Sequence, residues 1–229
     1  MNITFDESME RLRALSDPRG IAVWEKMYGT MDGYLGVGVT KIKTLAKELK
    51  KDHDRALQLW ETGILDAQLL SIYTEEPKKV TLDQISRQLP QIRFADTARR
   101  YGEEIIAPTP HAWALALEYY EHPEPMYRVC AYGIVSELSV REKKRPNNDF
   151  FPFLEKIHQT IQSEDNWVKD NMNFTLITFG SRNAEMNRRV LAICADVGKI
   201  TVDYGDTSCV TPDAPQILTS ERIKKKLGI

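Results

Sequence analysis

Asp96 lies in the run IRFADTARRYGEEI, residues 92–105, with Arg93, Arg99 and Arg100 three or four positions away on neighbouring faces of a predicted helix. A carboxylate so placed is within reach of ion pairing with those arginines. A second set of charges is cationic. Over residues 39–49, Val39, Ile42, Leu45, Ala46 and Leu49 make one apolar face, and Lys41, Lys43, Lys47 and Lys50 point elsewhere. That face is either solvated or a phosphate-contacting surface. A third set is a pair: Arg128 in EPMYRVCAYGIVSEL and Lys169 in DNWVKDNMNFTLITF each follow a bulky residue (Met126, Trp167) and precede a helix-length apolar run.

Other chemistries lack their residues. No GxSxG element occurs, and the glycine-rich run GTMDGYLGVG, residues 29–38, lacks the GxxxxGK[ST] order of a phosphate-gripping loop, so it is assigned a structural role. His53, His111, His122 and His158 never fall at ligand spacing with Cys or carboxylates, so neither a metal site nor a cofactor is expected. Cys130 and Cys194 sit in apolar helical patterns as reduced core thiols. Cys209 lies among Asp203, Asp206, Thr207 and Ser208 in a polar tail, read as plain ordered chain rather than a reactive thiol or metal contact.

The elements that must position these groups are helices. Arg128 and Lys169 stand 41 residues apart, inside the roughly 40–47-residue period of HEAT-type helix pairs, in which the second helix carries a basic residue near its start. An irregular helical bundle is the competing reading. In chain order, helices are predicted over residues 5–15, 21–28, 39–49 with Thr40 as cap, 54–60, 64–73, 82–89, 92–105, 111–121, 124–138, 150–161, 165–179 and 185–197, separated by Asp17-Pro18, Gly63, Pro77, Pro90, Pro108-Thr109-Pro110 and His122-Pro123. Residues 198–215 change character into an irregular extension with β-formers Ile200, Thr201 and Val202. A final helix over 214–227 follows. The whole, residues 1–229, is read as one all-α domain.

Hydrophobic residues at 42% and charged residues at 28% exclude disorder and collagen-like repeats. No apolar run reaches the roughly 18–20 residues that span a bilayer, and the start is amphipathic and acidic, so a cytoplasmic protein without membrane contact is expected. The formal net charge of −2 weighs against obligate nucleic-acid binding, which then rests on local clusters: residues 41–51, Arg99-Arg100, residues 141–145 and Lys224 to Lys226.

The run YLGVGVTKIKTLAKELKKD, residues 34–52, with Leu59-Trp60 and GILDAQLLSIY, residues 63–73, resembles the bacterial DNA-alkylation-repair family of HEAT-like-repeat DNA glycosylases, the AlkD-like proteins; the helices around Arg128 and over residues 167–179 continue the likeness, which spans roughly residues 21–197. The resemblance implies a C-shaped solenoid of helix pairs whose concave, basic face holds duplex DNA and excises cationic purines such as 3-methyladenine and 7-methylguanine, without a cofactor. A cationic purine leaves as a neutral base, so the demand is on the sugar: a carboxylate near C1′ stabilises the oxocarbenium ion or orients water, and aromatic faces hold the lesion.

By that resemblance Asp96 matches the family's catalytic carboxylate, although Ile92 replaces the tryptophan four residues before it. Arg128 matches the inner-helix arginine and Lys169 its counterpart one repeat on, both as phosphate contacts, with Lys43 and Lys47 on the cationic face. Trp113 and Phe174 are the aromatic lesion contacts; a second family tryptophan falls near Asn173 or Phe174, where none stands. Each position also has a structural reading, an ion pair between repeats for Asp96 and Arg128 and core packing for the aromatics. A non-catalytic scaffold that binds a protein or an unusual DNA structure stays open.

Overall fold

The computed structural model describes residues 3–30 and 33–229; Met31 and Asp32 of the glycine-rich run lie outside the described residues. Every regular element among the described residues is helical, and Ile200–Val202 form no strand. The chain divides into two compact units, Met1–Thr109 with Tyr204–Cys209, and Pro110–Asp203 with Val210–Ile229.

In the first unit the helices are α1 (Phe5–Ala14), α2 (Pro18–Tyr28), α3 (Val39–Leu49), α4 (His53–Glu61), α5 (Leu65–Thr74), α6 (Leu82–Gln88) and α7 (Ala95–Arg100). Their starts follow from side chains that satisfy free backbone N–H groups. Thr4 and Glu7 cap α1 reciprocally, Asp17 caps α2 with Pro18 in its first turn, Asp52 accepts from Arg55 N on α4, and Thr81 caps α6. Helix α5 is the hub. It is buried almost throughout and packs against α3, α4 and α7, with Ile42, Leu45 and Leu49 of α3 and Phe94 in the same core.

Residues 35–37 of the glycine-rich run are anchored to α5 and pass close to the start of α2. Asp66, in the first turn of α5 and without exposure, accepts Leu35 N and Val37 N, both at 2.7 Å. Burial raises its pKa, and those N–H groups oppose the rise. Gly36 has φ +70°, and a Cβ there would lie 2.3 Å from Asp17 O and 2.4 Å from Ile21 N, so only glycine lets the run pass the start of α2.

One predicted cap and several predicted boundaries differ, among them the start of α2, at Pro18 rather than residue 21, and the end of α9 (Pro125–Arg141), at Arg141 rather than residue 138. Thr40 does not cap α3: the helix starts at Val39 as predicted, Gly38 is the cap, and Thr40 lies inside the first turn. The helix over 92–105 begins at Ala95 and opens after Arg100 into a π-helical turn, Tyr101–Ile106, where Ala107 N reaches back to Gly102 O at 2.9 Å. The terminal helix is two, α13 (Ala214–Leu218) and α14 (Glu221–Leu227), because the Thr219 and Ser220 hydroxyls donate to the carbonyls of Pro215 and Ile217 and compete with helical pairing.

In the second unit, α8 (Ala112–Tyr119) packs on α9 (Pro125–Arg141), α9 on α11 (Asn166–Gly180), α11 on α12 (Ala184–Val197), and α10 (Phe151–Thr160) on α12. The two helices related by the 41-residue offset are therefore neighbours. Ser136 Oγ and Thr175 Oγ1 meet at 3.0 Å across that contact, and Val129, Val135, Val168 and Leu176 are fully buried. Among the described residues no helix is long and apolar enough to cross a membrane.

Candidate nucleic-acid interface

Helices α3, α5 and α7 bring side chains of the first unit into one connected chain. Lys43 and Lys47, one turn apart on α3, are exposed, because the helix turns Ile42, Leu45, Ala46 and Leu49 into the core. Lys43 Nζ stands 4.9 Å from the ring centroid of Tyr73 on α5. The Tyr73 oxygen accepts from Arg100 Nη1 at 2.7 Å, and Arg100 Nε donates to Asp96 Oδ2 at 2.8 Å. Arg99 donates to Asp96 Oδ1 and to Glu103 Oε1, both at 2.8 Å.

Asp96 thus holds a guanidinium on each oxygen, and its side chain is 21% exposed. Burial works against its charge, but Arg100 and then Arg99 more than offset that, and the carboxyl lies below its ordinary value. Burial raises the Glu103 carboxyl, against the pull of Arg99. Burial also pushes Tyr73 up to about 12, against the nearby Arg100. The phenol keeps its proton at neutral pH while its oxygen accepts from Arg100, so Tyr73 can donate to a further acceptor. Neither Lys43 nor Lys47 has a carboxylate within ion-pair distance among the described residues. Lys43, Arg99 and Arg100 stand with the carboxylates Asp96 and Glu103, and Glu104 also acts on Tyr73; Lys43 and Lys47 are the cations of the cluster that no carboxylate pairs among the described residues.

The second unit holds the other predicted residues. Arg128, in the first turns of α9, donates to His122 O and Pro123 O at 2.7 Å each and to Glu164 at 2.8 Å, with both charged side chains 13% exposed. Its guanidinium fastens the turn into α9 to the turn before α11. Lys169 on α11 is half-buried, and no carboxylate lies within ion-pair distance of it among the described residues. Phe174 is 39% exposed. Trp113 packs edge-on against Phe150, carries Arg145 over its ring at 4.2 Å and donates to Glu142 at 3.1 Å; none of these partners is Arg128, Lys169 or Phe174.

Tyr73 and Glu103 join the site without having been singled out in the sequence. Tyr73 reads there as the last apolar position of a buried helix, and nothing local marks its hydroxyl. Glu103 carried a usable signal, four residues after Arg99. No group of three or more His, Cys, Asp or Glu side chains among the described residues could hold a metal ion, and Cys209 is exposed in the tail.

The sequence model of the DNA alkylation repair enzyme family matches residues 8–201. The chain belongs to that family. An uncharacterized protein of Listeria innocua is 27% identical, over 96% of this chain and 98% of its own. An uncharacterized protein of Listeria monocytogenes is 26% identical, over 98% and 100%. A solved structure, described as a new family of proteins related to the HEAT-like repeat DNA glycosylases with affinity for branched DNA structures, superposes with a TM-score of 0.83 at 19% identity, over 98% of this chain and 96% of that one. The fold of this family member is therefore the all-α HEAT-like repeat.

Proposed function

We propose that this protein binds DNA through its phosphates, on the face of the first unit that carries Lys43, Lys47, Tyr73 and Arg100, that branched DNA is among its ligands, and that Asp96 sets the charge of that face. The observation that carries this reading is the state of Asp96. With a guanidinium on each oxygen, its charge is spent within the protein, and Lys43 and Lys47 on α3 keep their charge unpaired among the described residues. Such a site attracts a phosphate and repels a cationic base. Arg100 is oriented by Asp96 and Tyr73, and the two α3 lysines reach into solvent as point charges. The affinity for branched DNA described for the solved relative supports that ligand class. In the second unit Lys169 is the phosphate contact, and Arg128 orders the turn beneath it.

The test is fluorescence anisotropy with a labelled four-way junction, a duplex and a single strand. Lys43→Ala/Lys47→Ala weakens binding to all phosphate-bearing ligands and lowers the salt slope by roughly 1–2. Unchanged affinity and slope in that variant would remove the assignment.

Excision of 3-methyladenine or 7-methylguanine from duplex DNA is a second reading, favoured by membership of the alkylation-repair family and by an Asp96 that stays ionised and partly exposed. Assay of free methylated base from treated duplex, with an active glycosylase alongside, separates the two: release that Asp96→Asn abolishes supports excision.

A further inference from the structure

The loop over residues 141–149, REKKRPNND, is fastened from below by one side chain. Arg182, just beyond α11, donates to the carbonyls of Ser139, Glu142 (2.8 Å), Lys143 (3.3 Å) and Arg145 (2.6 Å), and to Asn147 Oδ1 at 3.2 Å. Its guanidinium also lies 4.8 Å from the Phe150 ring centroid. Asn147 in turn donates to Glu185 at 2.7 Å. The connection between the end of α9 and the 3-10 turn Asn147–Phe150, residues 142–146, would otherwise sample many conformations; here its carbonyls converge on one cation.

The loop's own charges sort unevenly. Arg145 pairs with Glu142 and, at 2.8 Å, with Asp149, and it rests on the Trp113 ring. Trp113 Nε1 adds a second donor to Glu142. Arg141 pairs back onto Glu137 of α9 at 2.5 Å. Both acids of the loop and two of its four cations are thereby neutralised locally. Lys143 and Lys144 are left, adjacent, exposed, and with no carboxylate within ion-pair distance among the described residues. Arg182 places a further positive charge directly beneath them.

We infer that this loop is a second, preformed phosphate-contacting site, with Lys143 and Lys144 as its contacts and the backbone of a nucleic acid as its ligand. Because the loop is already ordered, little conformational entropy is lost when it engages. Lysine heads on flexible stems suit phosphates spaced along a backbone, where no fixed two-point geometry is required. Trp113 here serves as the floor under Arg145. The inference rests on the proposal that the protein binds DNA, and it assigns residues of the other unit.

The experiment compares the full-length protein with Lys143→Ala/Lys144→Ala and with Lys78→Ala/Lys199→Ala, a control of equal charge change at exposed lysines outside the clusters, by anisotropy on a labelled four-way junction and a duplex from 50 to 300 mM salt. Loss of two contacts lowers the salt slope by about 1.8 and the affinity on the order of ten-fold or more at low salt, and the control leaves the slope in place. All these side chains are exposed, and circular dichroism melts verify that each variant folds. A parent that binds while the loop variant keeps its slope overturns the loop assignment alone. So does an equal drop in the control, which would report total charge only. A parent that binds no DNA overturns the DNA reading and the loop with it. Parent binding of a polyglutamate peptide that the loop variant loses, with DNA affinity unmoved, would assign the loop to an acidic protein partner and overturn the nucleic-acid ligand.

Discussion

Asp96→Asn separates charge balance from catalysis, and its size can be worked from the geometry. The substitution removes the charge behind two hydrogen bonds of 2.8 Å and leaves one amide oxygen for two guanidiniums. Charge-assisted bonds of this kind contribute roughly 1.5–3 kcal/mol each when sheltered. Arg99 keeps Glu103, Arg100 keeps Tyr73, and the side chain is 21% exposed, so the expected net loss of stability is about 1–2 kcal/mol. Because the folded carboxyl lies below its ordinary 3.8, its contribution is present above that value and fades as pH falls through the folded value. The gap between parent and variant in urea unfolding should therefore be constant at neutral pH and close below about pH 4. For DNA the sign reverses: deleting one negative charge roughly 8 Å from a phosphate, in a water-like medium, adds about 0.5 kcal/mol, or about two-fold tighter binding. Anisotropy on a four-way junction reads this directly. Equal stability of variant and parent, or weaker binding by a folded Asp96→Asn protein, would refute the charge-balancing role.

Other substitutions test the parts that hold the site. Arg128→Ala leaves Glu164 without its partner and frees two carbonyls, and is expected to cost about 2–4 kcal/mol in chemical unfolding while changing DNA affinity little. Asp66→Ala strips the acceptor from Leu35 N and Val37 N and should lower stability by about 2–4 kcal/mol, seen as a lower melting temperature with the helical spectrum retained. Gly36→Ala combines a left-handed φ with a clash against the backbone of Asp17 and Ile21; poor folding yield is expected, and a normal melting temperature would contradict the account of the glycine-rich run. Tyr73→Phe removes only the hydroxyl that Arg100 meets and should weaken junction binding about two- to five-fold without altering the fold, the range of one ordinary hydrogen bond.

Helices were legible in the sequence wherever the signal was local. Apolar periodicity and the Pro and Gly breaks mark most of them within a few positions, whereas the one cap read from the sequence, Thr40, lies inside its helix. The Asp96 cluster was legible for the same reason, since its partners sit three and four residues along one helix. The 41-residue offset correctly paired α9 with α11, because a repeat's spacing is itself written in the chain. What escaped was set by contacts distant in sequence. Arg128 was matched by type and flanking residues, but its partners are Glu164, 36 positions on, and two carbonyls of the preceding turn. Tyr73 looks like core because its ring is largely buried; only the fold brings Lys43 to its face and Arg100 to its oxygen. The same holds for Arg182, whose acceptors are mainly backbone carbonyls 37 to 43 residues earlier, at the end of α9 and in the loop after it, with no side-chain pattern to announce them.

Phosphate binding by the unpaired lysines of α3 and α11 is read from a titration of the unmodified protein into a labelled four-way junction across 50 to 300 mM salt. The account predicts saturable binding whose logarithm falls linearly with the logarithm of salt concentration, with a slope of about 3 or more, corresponding to Lys43, Lys47 and Lys169 at the least. Binding that is absent at 50 mM, or that persists with no dependence on salt, would contradict it.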